Sequence, residues 1–159
     1  FKWREHVTKT VSENGKTIKK FCNALKDGDS KVVEQSLNNY LKKTISIWDT
    51  FVKKQMKENF YHGILLGILG FQQNWSVSSN KESGDGYSDI LIKTEDQEIG
   101  IIIEIKYAET GNLEAVSEEA LKQIEDRRYE EQLLEEGVEH ILKYGIAFYK
   151  KKCKVMVVK

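Results

Sequence analysis

Gly84-Asp85-Gly86-Tyr87-Ser88-Asp89-Ile90-Leu91-Ile92-Lys93, followed a few residues later by Gly100-Ile101-Ile102-Ile103-Glu104-Ile105-Lys106, is the stretch from which the fold is read. It opens as a polar, glycine-containing turn, enters a short strand at Asp89, reverses over Thr94 to Gln97, and continues as a long apolar strand from Ile99 to Tyr107. Successive side chains of a strand point to opposite faces, so Glu104 and Lys106 share one face while Ile103 and Ile105 share the other. The near-continuous apolar run around them is that of a central strand covered on both faces, where an acid and an amine need a reason to be present.

Working outward, Met56 to Leu69 has the spacing of a helix, with Tyr61, Leu65 and Leu69 on one side. Glu58 stands at the head of that buried stripe, where it either complements the helix N-terminus or serves a site. His62 lies one turn further on and reads as a packed or hydrogen-bonded residue more readily than as a catalytic one. Phe71 to Ser78 alternates around Trp75 and Val77 as a strand, and Ser79 to Gly86 reads as a loop. After Gly111-Asn112 a helix runs from Leu113 or Ser117 to Arg128, and a second piece stops at Gly137. Ile141–Tyr149 and Cys153–Val158 form two strands across Lys150-Lys151-Lys152. Upstream, Ile18, Phe21, Cys22 and Leu25 mark one helix. Asp27-Gly28-Asp29-Ser30 supplies its stop and the next N-cap, and Val33, Leu37, Tyr40, Leu41 and Thr44 mark a second. The order is helices, then α-β-β-β-α-β-β: an α/β fold with a mixed central sheet and a helical lead-in. The boundary between lead-in and core is expected near residue 55, giving 1–55 and 56–159.

A chain of 159 residues with 31% charged residues suits one domain with a real core. Its net charge of zero conceals an uneven distribution. Residues 1–57 hold thirteen Lys/Arg against six Asp/Glu, residues 58–104 two against eight, and residues 105–159 ten against eleven. A basic first third beside an acidic middle suits a polyanion-binding surface next to a metal-binding cluster, and equally suits solvated Lys-rich helices. Trp3, Trp48 and Phe51 read as core or docking residues rather than base-stacking platforms. Cys22 and Cys153 have no metal-type spacing and are expected as reduced thiols of a cytoplasmic protein. No apolar run approaches the ~18 residues of a membrane span, and no signal peptide is evident. Because the chain opens at Phe1 rather than Met, on residues that look like mid-protein sequence, a fragment of a longer polypeptide is the expectation.

Two carboxylates on one face of adjacent strands, ~4.8 Å apart, can share a hard cation such as Mg²⁺. If Asp89 and Glu104 converge in this way, Lys106 lies ~6–7 Å further along the same face. A cation there would activate water at neutral pH, and a lysine beside it would stabilise charge developing on a phosphate. The competing reading is a buried Glu–Lys ion pair that only holds strands together.

The ordered motifs resemble the PD-(D/E)XK nuclease superfamily, whose pattern is an acid, a variable spacer and an acid-X-Lys triplet on a central strand: here Asp89 and Glu104-Ile105-Lys106. More narrowly they resemble the nuclease-like domain found C-terminal to AAA-ATPase-like proteins. The runs that match are Glu58 to Leu69, Ser79 to Ile90, Ala120 to Tyr129 and Tyr144 to Phe148. The resemblance implies a restriction-endonuclease-like core and a cofactor of Mg²⁺ or Mn²⁺ held by Asp89, Glu104 and the Ile105 carbonyl. It gives Lys106 the role of activating water or stabilising the transition state. It also implies that Glu58 completes the metal shell directly or through water, and that Gln123 points into the site from the following helix. Nucleic acid, DNA rather than RNA, is the implied substrate, and an ATPase portion of the same polypeptide the implied partner; an oligomer is left open. Ser88 replaces a proline that makes no metal contact, whereas Tyr87 replaces an arginine and removes a phosphate contact. A module of the same fold that binds or regulates without cutting is the alternative function. In either case Lys16, Lys19, Lys20, Lys42 and Lys43 are the candidate tracking surface.

Overall fold

The computed structural model describes residues 15–44, 54–81, 88–126 and 129–159. Trp3, Trp48, Phe51 and the turn Gly84–Tyr87 lie outside them. A five-stranded sheet in the order β1 (Ser76–Lys81), β2 (Ser88–Lys93), β3 (Ile99–Tyr107), β4 (His140–Tyr149) and β5 (Lys152–Val158) is antiparallel except for the β3–β4 pair. It is the mixed sheet of a restriction-endonuclease-like core. The parallel step is bridged by α4 (Leu113–Asp126) and α5 (Tyr129–Glu135), while α1 (Gly15–Asp27), α2 (Ser30–Thr44) and α3 (Lys54–Leu69) precede the sheet.

The period-2 pattern of β3 sorts its side chains between two cores. Ile101, Ile103 and Ile105 pack with Leu25 of α1, Leu37 of α2 and Leu65 of α3. Ile102 packs with Ile124 of α4, and with Tyr129 and Leu133 of α5. Helices therefore cover both faces, and every β3 residue from Gly100 to Tyr107 is buried. Glu104 and Lys106 belong to the Ile102 parity and look toward α4.

Local chemistry sets the boundaries. Asp29 caps α2 through its side chain, accepting from the Val32 amide at 3.3 Å, after Gly28 turns the chain at φ 74°. The β2–β3 reversal is tied by Thr94, whose hydroxyl donates to Asp96 Oδ1 at 2.7 Å. The strand expected from Phe71 begins only at Ser76. The amides of Gly70, Phe71 and Gln72 return to the carbonyls of Leu66, Ile68 and Leu69, closing the last turn of α3 before the chain can extend. Conversely Ser79 to Lys81, expected as loop, pair with Ser88 to Ile90.

The outer edge of β5 is closed by α2. Asn38 Oδ1 accepts from the Cys153 amide at 2.7 Å and Glu34 Oε1 from the Val155 amide at 2.9 Å. No helix of the described residues is long and apolar enough to cross a membrane.

Candidate active site

β2 pairs with β3 from Lys93↔Gly100 to Asp89↔Glu104, so this acidic pair is the last rung of the ladder. Directly opposed residues of an antiparallel pair share a face, which places Asp89 and Glu104 together on the α4 side. The hydrogen-bond parity sharpens this. Ala108 donates to Phe148 of β4, so Glu104, of the same parity, turns its backbone toward β4, while Ile99, whose carbonyl accepts from Thr94, turns toward β2. Asp89↔Glu104 is therefore a non-hydrogen-bonded pair, the kind whose Cα atoms lie ~4.5 Å apart and whose side chains approach more closely. By the same alternation the Ile105 carbonyl faces the β2 side, just past the last rung.

Both carboxylates are 0% exposed and Lys106 is 7% exposed. Gln123, on α4, reaches between them. With its amide nitrogen toward Glu104 and its oxygen toward Lys106, it donates to Glu104 Oε1 at 2.9 Å and accepts from Lys106 Nζ at 3.0 Å. The opposite orientation would set oxygen against acceptor and nitrogen against donor, so the network fixes the amide. Glu104 Oε2 accepts no hydrogen bond among the described residues. A buried carboxylate oxygen left in that state is costly without a partner and is suited to receive a cation.

A residue that sequence reasoning passed over completes the cluster. Glu119, one helical turn before Gln123, bonds Lys106 Nζ through Oε1 at 3.3 Å while its side chain is 60% exposed. The i, i+4 spacing from Gln123 was the available signal. α4 comes close enough for these contacts because β4 carries Gly145 beside Glu104. A Cβ there would lie 2.4 Å from the Ser117 carbonyl oxygen and 2.9 Å from Leu121 Cγ. The Ser117 hydroxyl donates to the Gly145 carbonyl at 2.7 Å and pins the helix at that point.

The remaining predicted residue approaches from the opposite layer. Glu58, 9% exposed on α3, accepts from the Tyr107 amide through Oε1 at 3.1 Å, on the stretch of β3 beyond the last β2 rung. Its carboxylate thus anchors α3 to the end of the strand that carries Glu104 and Lys106. His62 lies 2.9 Å from the Ser79 hydroxyl of β1 through Nε2 and is occupied there. The structure accordingly brings Asp89, Glu104, Lys106, Gln123 and Glu119 to one face, with Glu58 at the strand end.

The family model of the PD-(D/E)XK nuclease superfamily matches residues 56–158. The chain belongs to that superfamily. No curated protein and no solved structure gives a significant match. Superfamily membership suggests metal-dependent nuclease activity, and the donor set of this PD-(D/E)XK site suits a hard divalent cation. It offers two facing carboxylates, an uncommitted Glu104 oxygen and the Ile105 carbonyl on the side where β2 pairing ends. No group of three or more His, Cys, Asp and Glu side chains among the described residues forms a metal cage. An ion that keeps several waters, as Mg²⁺ does, requires fewer protein oxygens than such a cage supplies.

Proposed function

We propose that the chain hydrolyses phosphodiester bonds of nucleic acid, DNA in the first instance, with Mg²⁺ or Mn²⁺ held by Asp89, Glu104 and the Ile105 carbonyl. The observation that carries the reading is the last-rung carboxylate pair, with Glu104 Oε2 left without a hydrogen bond beside a lysine on the same strand face. A bound divalent cation would neutralise phosphate charge and make water a competent nucleophile at neutral pH. Gln123 holds Glu104 by Oε1 and so presents its other oxygen. It also fixes the Lys106 ammonium, whose positive charge is placed to meet a phosphoryl oxygen as negative charge develops there. Glu58, whose Oε1 accepts from the Tyr107 amide, is read as supporting the metal shell from the strand end, directly or through water. A cytoplasmic setting is supported by two buried, unpaired cysteines. A role beside an ATPase portion of the same polypeptide is supported by the ordered motifs from Glu58 to Phe148.

The test is cleavage of single- and double-stranded DNA and of RNA with Mg²⁺ or Mn²⁺, beside calorimetric titration of Mn²⁺. Asp89→Asn is expected to abolish both cleavage and tight Mn²⁺ binding. Lys106→Ala is expected to abolish cleavage while leaving the metal titration close to that of the unaltered chain. Cleavage that persists at the original rate in both variants would place the activity elsewhere, and binding without cleavage by the unaltered chain would favour the non-cutting module.

A further inference from the structure

Resting on the nuclease reading, we propose that nucleic acid leaving the site is tracked by a basic rim built from Lys57, the β4–β5 turn Lys150-Lys151-Lys152, and Lys42. The rim follows from register. Tyr107 lies one residue beyond Lys106 and pairs with Phe148, while Tyr149 pairs with Lys152, so the hairpin tip projects from the same end of the sheet as the site. One to two strand spacings sideways and about three residues along put the tip on the order of 10–14 Å from the Lys106 level. That is about three to four phosphates at the axial spacing of one strand in a duplex.

A continuous ladder joins site and tip. Lys57 Nζ sits 4.7 Å over the Tyr107 ring, Tyr107 and Tyr149 have centroids 6.0 Å apart, and Lys150 Nζ sits 5.2 Å over the Tyr149 ring. Tyr107 is buried in the core on the sheet face opposite Glu104 and Lys106, and its amide donates to Glu58, so these rings brace the lysines from beneath at the site's end of the sheet. Helix α2 brings the last member. Glu34 and Asn38, four residues apart, meet Val155 and Cys153, two residues apart, so the helix runs antiparallel to β5. One further turn on the same stripe brings Lys42 alongside Lys151. The opposite end of the sheet carries Glu95, Asp96, Glu98, Glu136 and Glu139, whereas at the rim's own end the acids are Glu58, beside Lys57 and engaged with the Tyr107 amide, and Glu109, in the turn after β3.

The turn itself breaks a local rule. Lys150 adopts φ 53°, a conformation that hairpin turns ordinarily assign to Gly, Asn or Asp, and α3 holds it there because the Tyr61 hydroxyl donates to the Lys150 carbonyl at 2.6 Å. A lysine at Lys150, where glycine would be easier, followed by two more lysines indicates that turn formation alone did not set the residue type there.

The rim is tested by fluorescence anisotropy of a labelled 20-nucleotide strand and its duplex, in EDTA so that no cleavage occurs, between 50 and 200 mM NaCl. Each lost phosphate contact lowers the slope of log K against log salt by about one unit, on the order of tenfold in affinity at 0.1 M. Lys150→Gly is expected to weaken binding by that amount while the melting temperature stays level or rises. Lys150→Gly combined with Lys151→Ser and Lys152→Ser is expected to remove two to three units of slope. Lys26→Gln, paired with Glu95 at the opposite end, should leave the slope unchanged. If the unaltered chain binds neither probe, the rim and the nuclease reading both fall. If it binds and the triple variant keeps the original slope, or Lys150→Gly loses its fold together with its affinity, the rim alone is overturned.

Discussion

Replacing Gly145 with alanine tests whether close approach of a helix, rather than the identity of the acids alone, makes the site. The added Cβ would meet the Ser117 carbonyl oxygen at 2.4 Å, Leu121 Cγ at 2.9 Å and the Leu121 amide nitrogen at 3.0 Å. Two of the three are backbone atoms of α4, so relief requires moving the helix away from β4 by roughly 1 Å to reach ordinary contact. Overpacking of this kind costs about 1–3 kcal/mol, and stretching the Ser117–Gly145 hydrogen bond adds about 1 kcal/mol. For a chain of this length the sum corresponds to a melting temperature lowered by roughly 5–15 °C. The displacement also draws Gln123 away from Glu104 and Lys106, and misplacement by ~1 Å of a group that orders a site can lower turnover by about a hundredfold. Thermal unfolding, followed by cleavage and Mn²⁺ titration well below the melting point, measures both effects. Ser117→Ala provides the comparison: it removes the hydrogen bond without the clash and should cost only about 1 kcal/mol with turnover largely kept. Gly145→Ala with unchanged melting temperature and unchanged turnover would refute the argument that glycine sets the helix distance.

Three further outcomes follow from local chemistry. The hydrogen bond from Thr94 holds the Asp96 carboxyl below the ordinary carboxylate range. Because the unfolded chain then binds the proton more readily, the stabilisation is fully present above the unfolded value of ~3.9 and is lost as pH falls below it. Thr94→Val should therefore flatten the pH dependence of the melting temperature below about pH 4, and identical slopes in the two proteins would count against it. Burial pushes the Cys22 thiol up to about 11 and raises Cys153 as well, so neither cysteine should react with a maleimide at pH 7 until urea unfolds the chain. Rapid labelling of the native protein would contradict that burial. Tyr61→Phe should cost about 1 kcal/mol by freeing the Lys150 carbonyl, seen as a lower urea midpoint at constant m-value.

Much of the fold was legible because its signals are local and periodic. The β3 run could be recognised as central from its isoleucines, and the Glu104 and Lys106 parity placed both on one face before any partner was known. The register that opposes Asp89 to Glu104 stays conditional in the sequence and comes from the β2–β3 pairing of the structure. The start of β1 is not legible, because alternation around Trp75 looks like a strand whereas the carbonyls at the end of α3 claim the next amides first. Glu119 was passed over because an exposed helical glutamate carries no signal of its own until Lys106 is seen beneath it. The run of α2 along β5 rests on the bonds of Glu34 with Val155 and Asn38 with Cys153, more than a hundred residues apart in sequence, which no local pattern encodes.

That run of α2 along β5 also limits how copies of this protein can meet. Four helical residues advance ~6.0 Å and two strand residues ~6.6–6.8 Å, so Glu34 and Asn38 act as a short false strand whose spacing fits two rungs. The amides at Cys153 and Val155 are satisfied from within the molecule. An incoming chain seeking to extend the sheet at Cys153 and Val155 would have to displace the side chains of Glu34 and Asn38 before gaining those bonds. Edge-to-edge extension of the sheet at these two amides is thereby disfavoured.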